Sequence, residues 1–467
     1  IRAMGSYLPR LRLDRKAGAS ALRWSGQSAP REGRRAVCAW DEDAVTLAVE
    51  AARALAPPAG ASVIFASTSA PFFERAQASL LVDALTLPTS TRSNDGPGSR
   101  RCAVSALIGA LESGRAALIA SGEHRPVRPG SPAQLQFGDG GAAALTGEDG
   151  ARLLGAASIS ADFVDIFASR EHPDAYTAEE RFVRDAGSDM IAQAVAAACA
   201  AAKVAPASIA HAAVVEPVAG CYKTVAAKLD LAAPNHASRI TDAAGDLGAA
   251  HPLFALSLAF EAAHAGDLVL LCAFGSGADA AIFRLEGAVD GVEQAGRALR
   301  EGRAFSDYVR FLNLSGALDF DWGPRSEIEQ KAQPTVLSRT GRDILGFVGH
   351  RDRSGNVQFP KSRVPVSPAA DGPETLADVR LAEETATIVS FTADRLNFTP
   401  DPPFYFGLAQ FDNGARVMME FVDVEPGELK VGDRVRMRLR IKSLERRRGF
   451  RTYFWKAAPI ERPALEA

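Results

Sequence analysis

Cysteine is scarce. The five residues present (Cys38, Cys102, Cys199, Cys221 and Cys272) are scattered, with no metal-ligand spacing between them. An odd, sparse set excludes a disulfide framework and fits a reducing compartment. Neither sign of charge is in excess: 53 Lys and Arg against 56 Asp and Glu leave a formal net charge of −3. That balance argues against nucleic acid as the main partner. No apolar run reaches the ~20 residues of a membrane span. The stretch Ile1 to Leu8 lacks the basic and apolar regions of a secretory signal. These absences lead to an expected cytoplasmic protein without nucleic acid or membrane partners. What remains, 47% hydrophobic and 23% charged over 467 residues, is an ordinary globular composition. It suffices for two or three domains.

The densest chemistry lies in Gly245-Asp246-Leu247-Gly248-Ala249-Ala250-His251-Pro252, which feeds an apolar run from Leu253 to Ala263. A glycine-rich turn entering a helix lets backbone N–H groups face a ligand. Asp246 and His251 add an acid and an imidazole; they also read as a helix cap and a surface histidine. Gly138-Asp139-Gly140-Gly141-Ala142-Ala143-Ala144 and Phe274-Gly275-Ser276-Gly277-Ala278-Asp279-Ala280 are turns of the same kind. Three such turns suggest one site where backbone approaches a ligand closely.

Along the chain, strand and helix patterns alternate. Strands are expected at 10–13, 62–67, 116–121 and 138–146, with helices at 44–55, 72–85 and 102–111. Trp40-Asp41-Glu42-Asp43 reads as an acidic cap on the 44–55 helix. A similar order begins again near Ala156: helices at 185–202, 223–229 and 253–263, and strands at 212–216, 268–273 and 280–285. This predicts a layered α/β domain with an internal duplication. After Gly287 the texture changes. Val292 to Leu314 reads as one charged amphipathic helix. Five strand-like runs (385–391, 404–411, 415–424, 434–441 and 450–456) then suggest a small barrel of the OB type.

Residues 1 to about 286 resemble the hydroxymethylglutaryl-CoA synthase and ketoacyl synthase III branch of the thiolase superfamily. The resemblance rests on Tyr7-Leu8-Pro9-Arg10, Trp40-Asp41-Glu42-Asp43-Ala44-Val45-Thr46, the turns at Gly138 and Gly245, and Phe274-Gly275-Ser276-Gly277. Residues from about 335 to 460 resemble the OB-fold acyl-CoA-associated proteins that partner thiolases. The expected layout is a thiolase-like domain at 1–286, a helical linker at 287–334, and an OB-fold domain at 335–467. The fold class is α/β, a duplicated five-layered core with a C-terminal OB-type barrel. The resemblance further implies a homodimer, a CoA thioester substrate, and carbon–carbon bond chemistry at its acyl group. No covalently bound cofactor is expected, coenzyme A being part of the substrate. A further thiolase-type subunit is a partner the resemblance allows.

The family's catalytic groups fall on other residues here. Its nucleophilic Cys aligns with Arg100, with Cys102 two residues later. Its Glu aligns near Thr68, its His with Val215 ahead of Glu216-Pro217, and its Asn with Asp246. Acyl-enzyme chemistry needs a thiolate beside a base, and this alignment supplies neither. Cys102 becomes the nucleophile if the register shifts by two; otherwise it is a small core thiol. The candidate catalytic residues are therefore Asp246, His251, Cys102 and Arg100, with Gly275, Ser276, Gly277, Ser99 and Thr68 as the oxyanion and substrate turns. The zinc ribbon of the partner family maps onto Leu345 to Pro360, which contains no cysteine. A tetrahedral zinc site needs about four N/S ligands, so a metal-free remnant is expected and no metal is assigned. Arg436, Arg438, Arg440 and Lys442 alternate on one strand, either as a solvated face or as a mouth for CoA phosphates.

Three functions follow. The first is an aldol or retro-aldol step on a CoA thioester without a covalent Cys intermediate, needing only a base, an acid and an oxyanion site. The second is a Cys102-dependent acyltransferase. The third is a non-catalytic acyl-CoA-binding subunit.

Overall fold

Short apolar runs form buried strands, and in the computed structural model of the chain these collect, with the more exposed edge strands Ser93–Gly96 and Ala151–Ser160, into two sheets. It describes residues 1–26, 32–327, 334–362, 364, 366–367 and 376–460. Across the first sheet lie Ala3–Tyr7, Gly140–Leu145, Ala117–Glu123, Ser62–Ala66 and Ser93–Gly96. The second holds Ala151–Ser160, Gly277–Leu285, Leu268–Phe274 and His211–Val215. Counted by chain order the first is 1-5-4-2-3; the second has four strands, and given the numbers of their counterparts in the first, with 3 left vacant, they run 1-5-4-2. In both, strand 4 runs parallel to strand 2 and antiparallel to strand 5. The halves thus share one topology. At the place of a third strand in the second half stands a lone bridge from Ala212 to Asn235.

Helices Cys102–Glu112 and His251–Ala262 pack between the two sheets. Every residue from His251 to Phe260 is buried, as a helix that is apolar all round requires. Ala44–Ala52 and Gln77–Ala84 cover the outside of the first sheet, and Glu180–Ala202 covers the second. The 72–85 helix is shorter than its pattern suggests. Phe72 instead meets Phe450, with the Arg75 guanidinium over both rings. The helix expected from Val292 to Leu314 is broken into Glu293–Arg300, a strand Arg303–Phe305 and Tyr308–Leu314. Gly302, at φ +147°, supplies the break. The strand then pairs with Leu11–Leu13. The end of the expected linker (328–333) and the last residues of the barrel domain (461–467) lie outside the described residues.

The five C-terminal strands form one sheet in the order Arg416–Glu420, Phe404–Phe411, Thr385–Asp394, Arg434–Glu445, Phe450–Pro459. A single bridge from Phe421 to Ala457 draws its edges together. The ribbon frame becomes a small sheet, Val348–Arg351 between Val357–Gln358 and Ala377–Arg380. His350 Nδ1 there lies 2.8 Å from Ser362 O. Among the described residues no helix is long and apolar enough to cross a membrane.

The C-terminal sheet docks on the outer helices of the first half through one shared core. That core runs from Val45 and Leu47 to Met437, Leu439 and Trp455. Charge is buried in the same contact. Arg440, with no exposed surface, lies 3.1 Å from Glu42 and 3.2 Å from Asp423. Lys456 Nζ sits 2.9 Å from Asp41 and 2.8 Å from Glu420. Arg438 binds Glu50, which also accepts Leu439 N–H at 2.8 Å. Burial favours the neutral Glu50 acid, but Arg53, Arg438 and Arg440 outweigh it and hold the carboxyl down at about 2.

Two sequence expectations change here. Asp43 does cap its helix, accepting the N–H groups of Val45 and Thr46; Asp41 and Glu42 instead bind Lys456 and Arg440 across the contact. Arg438 and Arg440 are neither a solvated face nor free for phosphate, because both are buried against carboxylates. Strand alternation placed these basic residues on one face correctly, but could not say what covers that face.

Candidate active site

The glycine turns meet, chiefly with one another. A methyl group on Gly138 would lie 1.9 Å from Ala244 O, and one on Gly245 (φ +95°) 2.8 Å from Gly138 N. Gly138 N–H donates to Asp246 O at 2.9 Å. A methyl group on Gly275 would lie 3.1 Å from Ser99 and from Arg100 N. These approaches put the entrance of helix Cys102–Glu112 beside the 245–252 turn, and there Arg100 reaches Asp246.

Arg100 is the centre of this cluster. Its Nη2 lies 2.5 Å from Asp165 and its Nη1 3.3 Å from Asp246. Burial disfavours the guanidinium charge, but Asp165 and Asp246 reverse that and strengthen it. Arg125 approaches the same Asp246 oxygen, also at 3.3 Å, its guanidinium 3.6 Å above the Phe137 ring. Burial pushes the Asp246 carboxyl up, but Arg125 and Arg100 hold it well below the usual range, so it is a carboxylate. Asp246 Oδ1 also accepts Gly248 N–H at 2.9 Å.

His251 is 2% exposed. Its Nε2 lies 3.1 Å from Ala237 O, a contact that needs the proton on Nε2. Its Nδ1 lies 3.2 Å from Leu247 N, closer than the 3.5 Å to Asp246, and so accepts that N–H. Both ring nitrogens are thereby engaged by backbone. Other backbone donors of the turns are occupied too. Ala249 N–H goes to Glu123 and Gly275 N–H to Gly277 O.

Arg100, Asp246 and His251 line one cavity of about 510 Å³, with Phe137, Asp165 and Glu216. No cysteine lines it. Glu216 follows strand His211–Val215 and accepts the Tyr222 N–H at 2.8 Å. Burial raises its carboxyl above the ordinary range, the property expected of a proton-transfer group.

The remaining expected residues lie elsewhere. Cys102 (9% exposed), Ser99 and Ser276 line a separate open groove with Arg101 and Ser105. Burial, reinforced by Glu123, pushes the Cys102 thiol far above neutrality, so it carries no thiolate. Gly275 and Gly277 line neither space; a methyl on Gly277 would lie 2.0 Å from Ile159 O. Thr68 N–H donates to buried Glu123 at 2.7 Å, a carboxyl that also accepts from Ser69 at 2.6 Å. Its raised pKa comes from burial, which outweighs Arg125.

Four groups escaped the sequence reading. Glu123 and Arg125 had a signal, a charged run directly after an apolar strand, in Ser121-Gly122-Glu123-His124-Arg125. Glu216 stood beside the aligned position of the family histidine. Asp165 had none: it lies in a loop, 65 residues from Arg100, and only the fold joins them.

Residues 378–440 match a family model described as the C-terminal OB-fold domain of ChsH2. Among curated proteins, none matches the sequence. Solved structures similar to this chain include MvaS in complex with 3-hydroxy-3-methylglutaryl coenzyme A, at 18% identity and TM-score 0.55, covering 69% of this chain and 94% of that one. Another is 3-oxoacyl-(acyl carrier protein) synthase III, FabH, from Pseudomonas aeruginosa PAO1, at 20% identity and TM-score 0.52, covering 62% and 98%. Cerulenin-bound OleA from Xanthomonas campestris follows at 18% identity and TM-score 0.54, covering 61% and 96%. The fold is therefore thiolase-like, with a C-terminal OB-fold domain.

Proposed function

We propose that this chain makes or breaks a carbon–carbon bond beside the thioester carbonyl of a coenzyme A ester, by an aldol or retro-aldol step with no acyl-enzyme intermediate. One observation carries the reading. The cavity at the junction of the two halves holds an arginine between carboxylates and no cysteine, in a fold whose solved examples include one bound to 3-hydroxy-3-methylglutaryl coenzyme A.

In the cleavage direction, a carboxylate takes the proton of the β-hydroxyl group. The alkoxide pair becomes the new C=O as the Cα–Cβ bond breaks, and the bond's electrons move onto the thioester oxygen as an enolate. The enolate then takes a proton at Cα, and atoms balance without a further reagent. Arg100 is the donor best suited to the enolate oxygen, since two carboxylates fix its plane and it retains unshared N–H groups. Glu216 suits proton transfer, its carboxyl being raised by burial at the edge of the same cavity. Asp246 and His251 fit better as the groups that hold Arg100 and the turn. Asp246 is a weak base between two arginines, and both nitrogens of His251 are occupied.

The test is turnover of a panel of β-hydroxyacyl-CoA esters, followed by release of the carbonyl product. Glu216→Gln should lower turnover at least ~100-fold, the scale of a lost acid–base group, with the melting temperature held. No turnover by the parent chain on any ester, with CoA esters still bound, would favour the non-catalytic reading.

A further inference from the structure

We infer that Cys38, His124 and Asp139 form a binding site for one divalent transition-metal ion, zinc by its ligand chemistry, apart from the Arg100 cavity. Three separate elements bring them together. Cys38 follows strand Arg34–Val37, His124 follows Ala117–Glu123, and Asp139 precedes Gly140–Leu145. One ligand atom from each lies within 4.8 Å of the others. The sequence offers no hint of this, because its ligands are 86 and 15 positions apart: 124 − 38 and 139 − 124.

The polar atoms at the centre have ion-pair neighbours but no aligned hydrogen bond. His124 Nδ1 and Asp139 Oδ1 stand 3.3 Å apart, yet neither makes an aligned hydrogen bond. A buried atom of this kind needs an account. Two ligands on a tetrahedral zinc at about 2.0–2.1 Å are separated by about 3.3 Å, which is the spacing found. The other carboxylate oxygen is fixed, accepting Cys38 N–H at 2.8 Å, so Asp139 Oδ1 is held towards the imidazole. Cys38 is 1% exposed, and its Sγ lies within 4.8 Å of the other two ligand atoms.

The surroundings favour a cation. Asp139, Glu42 and Asp43 all place negative charge near the Cys38 sulfur. Three arginines oppose it: Arg440 acts on Cys38 and Arg451 on His124, and Arg35 is the one in the cluster itself, with Nη2 3.6 Å from Asp139 Oδ1. Its guanidinium is tied down elsewhere, donating to Gln134 O and lying over Phe311. Nitrogen, sulfur and oxygen from three residues leave a fourth position for water or an added ligand, the pattern of an open zinc site. On binding, the Cys38 S–H bond breaks, the sulfur pair goes to the metal, and the proton goes to solvent.

The probe is Co²⁺, titrated into untagged, chelator-treated full-length protein and followed by absorption. One equivalent should bind with a thiolate-to-cobalt band in the near ultraviolet and tetrahedral bands in the visible, all displaced by Zn²⁺. Cys38→Ser should abolish the near-ultraviolet band, and His124→Gln should weaken binding at least ~100-fold. The partly exposed imidazole makes His124→Gln the variant that keeps its fold. Asp139 is left intact because it also holds the Cys38 backbone. Failure to bind one equivalent, or unchanged spectra and affinity in both variants, overturns the site. Either result is independent of turnover on CoA esters.

Discussion

Arg100→Met is expected to lower turnover on a responsive CoA ester by about 100- to 1,000-fold, the usual effect of removing one donor from an oxyanion site. A structural loss must be separated from a chemical one. Removing the guanidinium leaves Asp165 buried without its 2.5 Å partner, whereas Asp246 keeps Arg125. The single variant should therefore lose stability as well. Arg100→Met combined with Asp165→Asn removes that orphaned charge. The double variant should regain melting temperature and stay inactive. If it regains turnover as well, Arg100 serves the fold and not the enolate.

Arg440→Met is expected to destabilise the chain by about 3–5 kcal/mol, the scale for breaking a buried ion pair from one side. The guanidinium is fully buried at the contact between the C-terminal sheet and the first half. Its loss takes from Glu42 and Asp423 the cation that stands 3.1 Å and 3.2 Å from them. Lys456 is committed to Asp41 and Glu420, and Arg438 to Glu50, so neither is free to replace it. Denaturant unfolding of the variant against the parent measures the difference. Arg434→Ala is the control. Its exposed pair with Asp412 (2.6 Å) should contribute at most about 1 kcal/mol. Equal effects from the two variants would mean that the buried network does not hold the domains together.

These two variants mark the limit of what was legible in the sequence. The duplicated α/β order and the five C-terminal strands could be read, because hydrophobic period and glycine punctuation are local. The convergence of Arg100 with Asp246 was accessible through the resemblance, which aligned both with catalytic positions. Asp165 and Arg125 were not, since no spacing rule links loops that only the fold brings together. The acidic Trp40-Asp41-Glu42-Asp43 motif shows the same boundary. Its cap is a local feature and was seen; its partners are about 400 residues away and were not. The long helix expected at Val292 to Leu314 failed for a related reason. A strand partner at Leu11–Leu13 and a glycine at positive φ overrode a helical pattern. Charge alternation along Arg434–Glu445 predicted a shared face but not its burial, because burial depends on a domain docked from elsewhere.

The central claim is that chemistry proceeds without a cysteine, and one comparison tests it most directly. Steady-state turnover of the parent chain and of Cys102→Ser should be measured side by side on the same β-hydroxyacyl-CoA ester, with intact-protein mass recorded during turnover. The thiol is buried and protonated, and its residue lines a different groove from the Arg100 cavity. The account therefore predicts rates equal within about twofold and no acylated protein, because a small buried substitution of this kind leaves the reacting groups in place. A Cys102→Ser variant that folds but has lost turnover, together with an acyl mass on the parent chain, would contradict it and make Cys102 the nucleophile.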